Sequence, residues 1–135
     1  DFDHTGTKNE KGDKLNIERA IFAIRRDISP VDFEYLEDIV DLISDTEFPY
    51  MTEPKSISSQ ILRDSDMSQT FSQVWIQSIL FGLGKELEMS YESMLKMQLP
   101  FMKTQKFYTT WGIGKFESLK EGRIKTVTEM IELLW

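Results

Sequence analysis

The stretch NIERAIFAIRRDISPVDFEYLEDIVDLIS, residues 16–44, decides the fold class. Its Ile17, Ala20, Ile21, Ile24 and Ile28 recur at offsets 0, 3, 4, 7 and 11, the spacing of one helical face, which predicts a helix through this run. Ser29-Pro30-Val31-Asp32 then sets a capping serine before a proline whose fixed φ suits the first helical position, with an acid in the first turn. Phe33, Leu36, Val40 and Ile43 continue at helical spacing, so a second helix is expected to about Ser44. No stretch of the chain alternates apolar and polar residues over more than about four positions, as a half-buried strand would. The expected class is therefore all-α.

Beyond this pair, the segment Thr46 to Lys55 holds Pro49 and Pro54, each of which pushes the residue before it out of helix, so a connector is expected. From Ser56, Ile57, Ile61 and Leu62 mark one side of a helix to about Gln69 that carries Asp64 and Asp66. A longer helix, about Thr70 to Glu88, is led by Phe71, Val74, Trp75, Ile79, Leu80 and Leu83, with Gly82 and Gly84 weakening it without ending it. Ser90 caps another helix through Met94, Leu95, Met97 and Phe101, which Pro100 bends or interrupts. A last helix is expected from about Gly114 to Leu134, and residues 1–14, polar and bearing Gly6 and Gly12, are expected to be loop. No internal repeat and no long linker divides the chain, which reads as one unit. Its opening at Asp1, in a polar and glycine-bearing run, reads as the middle of a longer chain of which residues 1–135 are the C-terminal part.

Composition narrows the function. With 40% hydrophobic and 29% charged residues and no Cys, the 135-residue chain is neither a disordered tail nor a disulfide-stapled module. Against 23 acidic residues stand 16 basic ones, a net charge of −7, which opposes a grip on nucleic acid or on an anionic membrane; neither partner is expected. No apolar run approaches the roughly 20 residues of a spanning helix, and the absence of Cys suits the cytoplasm. The acidity is uneven: residues 1–66 hold 16 acidic against 8 basic residues, residues 100–135 hold 4 against 6. Solvated helix faces and a cation-binding region are the two readings of the acidic half.

Cysteine nucleophiles are excluded, and a serine triad would depend on His4, the single histidine. No GxSxG, GxxxxGK or GxGxxG sequence is present. Asp1, Asp3 and His4, followed by Gly6 and Asn9, gather hard carboxylate oxygens and an imidazole, which suit Zn²⁺, Mn²⁺ or Mg²⁺; a surface turn is the plain alternative. Asp64 reads as part of a solvated helix face. Gln98 and Phe101, three apart, could offer an amide to a purine edge and a ring to stack on it, or could be a helix-surface Gln beside a core Phe. Met89, Met94, Met97 and Met102 read as adaptable core filling.

Taken in order, these segments resemble one family. DFDHTGTKNE resembles the HDxDHxGxxN metal motif of the HD superfamily of phosphohydrolases, in the form used by 3′,5′-cyclic nucleotide phosphodiesterases, with the motif's first His falling just before Asp1. LeuAsnIleGluArgAla places Glu18 at the Glu of the family's ENHH segment, and IleValAspLeuIleSerAspThr is similar to the helix ending in its ThrAsp pair. ArgAspSerAspMetSer resembles AlaAspIleSer and places Asp66 at the second metal-binding aspartate, while TrpIleGlnSerIleLeuPhe resembles the family's Trp-led helix and GlnLeuProPheMet its base-binding GlnxxPhe. The chain departs from the pattern at Arg19-Ala20, where the family has His, and at Arg63-Asp64-Ser65, where it has small or hydrophobic residues.

The resemblance covers residues 1–101 and implies an HD-type helical bundle that hydrolyses a cyclic nucleotide with two divalent metal ions, Zn, Mg or Mn. By it, Asp1 bridges the two ions and Asp66 completes the first ion's shell, with hydroxide between the metals attacking phosphorus. His4 sits beside the second ion or its waters, Glu18 orients a catalytic histidine upstream, and Gln98 and Phe101 hold the base. An HD phosphohydrolase of another nucleotide or phosphoester, and a non-catalytic helical module that binds a ligand or partner, are the alternatives.

Overall fold

The computed structural model describes residues 13–134, so the expected loop over residues 1–14 lies almost wholly outside the described residues. Helices joined by turns and loops make up the described chain, with no strand among the described residues, as the periodicity predicts. The chain packs as two compact units, one through Leu62 and one from Arg63 onward.

In the first unit, α1 (Lys14–Asp27) packs on α2 (Leu36–Ser44). Ser29 stands in extended backbone ahead of Pro30, as expected of a cap, but its hydroxyl makes no capping bond. Its carbonyl instead accepts from the Asp32 amide at 2.9 Å, and this i→i+3 bond winds Pro30–Tyr35 into a 3₁₀ turn before α2 begins. The connector is held by carboxylates. One Asp13 oxygen accepts from Asn16 Nδ2 at 2.9 Å and the other from the Phe48 amide at 2.9 Å. Asp45, buried, accepts from the Lys55 amide at 3.2 Å. Leu36 is the one buried large apolar side chain described in this unit, whereas Phe22, Val31, Phe33 and Met51 are 61–86% exposed.

The boundary between the units falls inside α3 (Ile57–Ser68). The expected apolar side of this helix is not its buried side: Ile57, Ile61 and Leu62 are exposed, and Ser59, Arg63, Asp64 and Met67 are buried. A 3₁₀ turn, Gln69–Phe71, follows. The single long helix expected over 70–88 is broken, because Ser72 turns extended and the Arg123 guanidinium donates to its carbonyl at 2.8 Å. The chain re-enters helix as a π-helical stretch, Ile76–Leu83, and closes with one turn, α4 (Gly84–Glu86), so Gly82 and Gly84 do not end it.

Ser90 caps α5 (Tyr91–Thr104) as the sequence predicts, its Oγ accepting from the Ser93 amide at 3.2 Å, and Pro100 does not interrupt that helix. The last helix starts earlier than expected, in α6 (Thr110–Gly112), passes through a π-helical turn, Ile113–Glu117, and ends in α7 (Ser118–Leu133). α5 packs along α7, burying Met94, Leu95, Met102 and Val127. Phe71, Phe107 and Phe116 cluster beside them, with Phe107 and Phe116 stacked at 4.8 Å and Phe71 edge-on to Phe107 at 5.5 Å. Trp75, which leads the π-helical stretch, is buried under the Arg123 guanidinium at 4.6 Å from its ring centre.

Candidate functional site

Two aspartates two residues apart on α3 have opposite fates. Successive residues on an α-helix turn by about 100°, so Asp64 and Asp66 face different sides. Asp64 is 2% exposed. Its Oδ1 accepts from the Tyr108 amide at 2.9 Å, and its Oδ2 accepts from the Thr109 amide at 2.8 Å and the Thr109 hydroxyl at 2.6 Å. The same hydroxyl accepts from the Gly112 amide at 2.9 Å, which caps the start of the last helix. The assignment of Asp64 to a solvated helix face is therefore corrected. Three donors take the place of water around this buried carboxylate. Asp66, by contrast, lies on the exposed side of α3.

The clue to Asp64 in the sequence is a spacing rather than a motif. Ser59, Arg63, Met67 and Thr70 lie three or four apart and are all buried, so the inward side of the run from α3 into the following turn is largely polar. A search for apolar periodicity passes over such a face. The acceptor's partners, at Tyr108 and Thr109, are backbone amides that no side-chain pattern advertises.

Asp1, which the resemblance makes a metal ligand, and His4, which it places beside the second ion or its waters, lie outside the described residues. The donor chemistry of Asp66, a hard carboxylate on an exposed helix side, fits a divalent cation. Among the described residues no three His, Cys, Asp or Glu gather where one ion could sit. Glu18 is exposed on α1, where it lines a shallow hollow of about 280 Å³ with Arg19, Phe22, Ala23 and Arg26. It belongs to the first unit and Asp66 to the second.

Gln98 and Phe101 lie one turn apart on α5, as a spacing of three requires. Gln98 is not a helix-surface residue: it is 5% exposed, and its Oε1 is buried with no hydrogen-bond partner among the described residues. Phe101 is half-buried. The four methionines divide, with Met94 and Met102 fully buried in the core, Met89 half-buried and Met97 exposed. A second hollow, of about 650 Å³, opens between Leu80, Phe81, Lys85, Met89, Ser90 and Tyr91, with Phe81 edge-on to Tyr91 at 5.1 Å. No protein family matches the chain, and neither a curated protein nor a solved structure matches it.

Proposed function

We propose that this chain serves metal-dependent hydrolysis of a phosphodiester, with a 3′,5′-cyclic nucleotide as substrate. The observation that carries the reading is Gln98. A buried amide oxygen without a partner costs roughly 1–3 kcal/mol and calls for an explanation in a folded protein. Here it falls on the residue to which the resemblance gives base recognition, one turn from the ring of Phe101. A purine amino group would satisfy that oxygen, and the Phe101 ring would supply a flat apolar wall.

The second support is the division of labour on α3. Asp64 is buried and held by Tyr108 and Thr109, whereas Asp66, at the position the resemblance gives to a metal ligand, is exposed. By the resemblance, Asp1 and Asp66 are the metal ligands, His4 stands beside the second ion or its waters, and Glu18 orients a histidine upstream. When bound, divalent cations supply Lewis acidity toward phosphoryl oxygens and lower the pKa of water.

The test uses the full-length protein with Mn²⁺ and two substrates, a cyclic nucleotide and bis(p-nitrophenyl) phosphate. Asp66→Asn is expected to abolish hydrolysis of both. Gln98→Ala is expected to slow cyclic nucleotide turnover about tenfold or more, as loss of one buried hydrogen bond implies, while sparing the small ester. Equal loss on both substrates would make Gln98 structural, and unchanged rates would move base recognition elsewhere. Activity that survives both a chelator and Asp66→Asn would defeat the metal-dependent reading.

A further inference from the structure

We propose that Asp64 is a positioning residue for Asp66, fixing the carboxylate side of the site relative to the helix that carries Gln98 and Phe101; the inference rests on the reading of Asp66 as a metal ligand. Tyr108 and Thr109, which donate to Asp64, lie four and five residues past Thr104, the end of α5. One carboxylate thus ties α3 to the segment leading out of α5 and to the start of the last helix at once. The clasp is double, since the Thr109 hydroxyl gives its proton to Asp64 and takes the Gly112 amide. Gly112 lies so close that an added Cβ would collide with the Asp64 carboxylate, 2.9 Å from its Cγ.

The anchoring flanks Asp66 on both sides. Arg63 is buried with its guanidinium 5.9 Å from the centre of the Tyr108 ring, and Met67 is buried one residue beyond Asp66. Asp66 therefore goes where this half of α3 goes, and the clasp decides where that is. The carboxylate itself is required. Asparagine at 64 would turn an N–H group toward backbone N–H donors and lose at least one of three bonds. Outer groups that orient a metal ligand typically change metal affinity 10–100-fold when removed.

The experiment is Mn²⁺ titration calorimetry on the full-length protein, with urea unfolding of the same samples. Wild type is expected to bind Mn²⁺ and Asp66→Asn to lose it. Asp64→Asn is expected to weaken binding about tenfold or more. Thr109→Val, which keeps the shape and loses the hydroxyl, should weaken it in the same direction, and Thr109→Ser should restore it. Thr109→Val carries the test if Asp64→Asn does not fold. Val127→Ala, at a fully buried core site on α7 that makes none of the clasp's hydrogen bonds, is the control: it should lower the unfolding midpoint and leave Mn²⁺ affinity unchanged. Wild-type affinity in folded Asp64→Asn or Thr109→Val would overturn the positioning role while leaving the metal reading standing. So would a loss in Val127→Ala equal to that in Asp64→Asn, or a failure of Thr109→Ser to restore binding. A wild type that binds no Mn²⁺ would overturn the metal reading itself and this inference with it.

Discussion

Gly112 and Gly122 both sit in helical backbone, yet Ala should act at them in opposite directions. In an open helix position Ala is favoured over Gly by about 1 kcal/mol, because the glycine backbone loses more entropy on folding. At Gly122, in α7, a Cβ would meet nothing within 4 Å, so Gly122→Ala should stabilise by about 0.5–1 kcal/mol. At Gly112 the Cβ would strike the Asp64 carboxylate, and overpacking of this kind costs roughly 1–3 kcal/mol. That cost exceeds the propensity gain, so Gly112→Ala should destabilise. Urea unfolding midpoints of the two variants, displaced to opposite sides of wild type, are the check. Arg123 follows the same local logic. Burial pushes its pKa down, and the guanidinium remains because the Trp75 face and the Ser72 carbonyl take the place of water.

At the scale of an element, α5 shows which force outweighs helix propensity. Pro100 lacks an amide proton and cannot bond the Lys96 carbonyl, a defect worth about 3 kcal/mol in a helix interior. The helix nevertheless runs on to Thr104, because Met94, Leu95, Gln98 and Met102 bury one continuous side that spans the proline. The Thr104 hydroxyl also ties the last turn, donating to the carbonyls of Pro100 and Phe101 at 3.1 Å each. Pro100 itself is exposed, so Ala there loses no packing and restores one backbone bond. Pro100→Ala is therefore expected to raise stability by roughly 1–3 kcal/mol, read as a higher thermal midpoint with unchanged helical content.

At the scale of the molecule, the two units differ in what holds them. The unit from Arg63 onward buries Phe71, Trp75, Leu80, Met94, Leu95, Met102, Phe107, Phe116 and Val127, each 7% exposed or less. Among the described residues, the unit through Leu62 has carboxylate-to-amide bonds at Asp13 and Asp45, the two-bond Arg25–Glu37 pair at 2.9 and 3.1 Å, and little buried apolar surface. Exposed ion pairs contribute at most about 1 kcal/mol, whereas each buried large apolar side chain contributes about 1.5–3 kcal/mol. Native-state hydrogen exchange should therefore separate them. Amides of α1 and α2 are expected to open at lower free energy than those of α5 and α7. Equal protection across all four helices would contradict this ranking.

The sequence alone determined the helical class, the start of α5 at its Ser90 cap and the connector between α2 and α3. The isoleucines of α1, the Ser90 cap and the prolines of the connector act over three or four residues, and interactions of that range are written in spacing. The break at Ser72, the early start of the last helix at Thr110 and the buried polar side of α3 were decided by tertiary structure. Arg123 reaches Ser72 across 51 residues, and Asp64 reaches Tyr108 and Thr109 across 44 and 45. Asp64 and Asp66 are the same residue type two positions apart, and nothing local distinguishes them. Only the arrival of two backbone amides and a hydroxyl at one carboxylate makes Asp64 a structural clasp while Asp66 is exposed, because a buried polar group is tolerated only where hydrogen-bond partners converge on it.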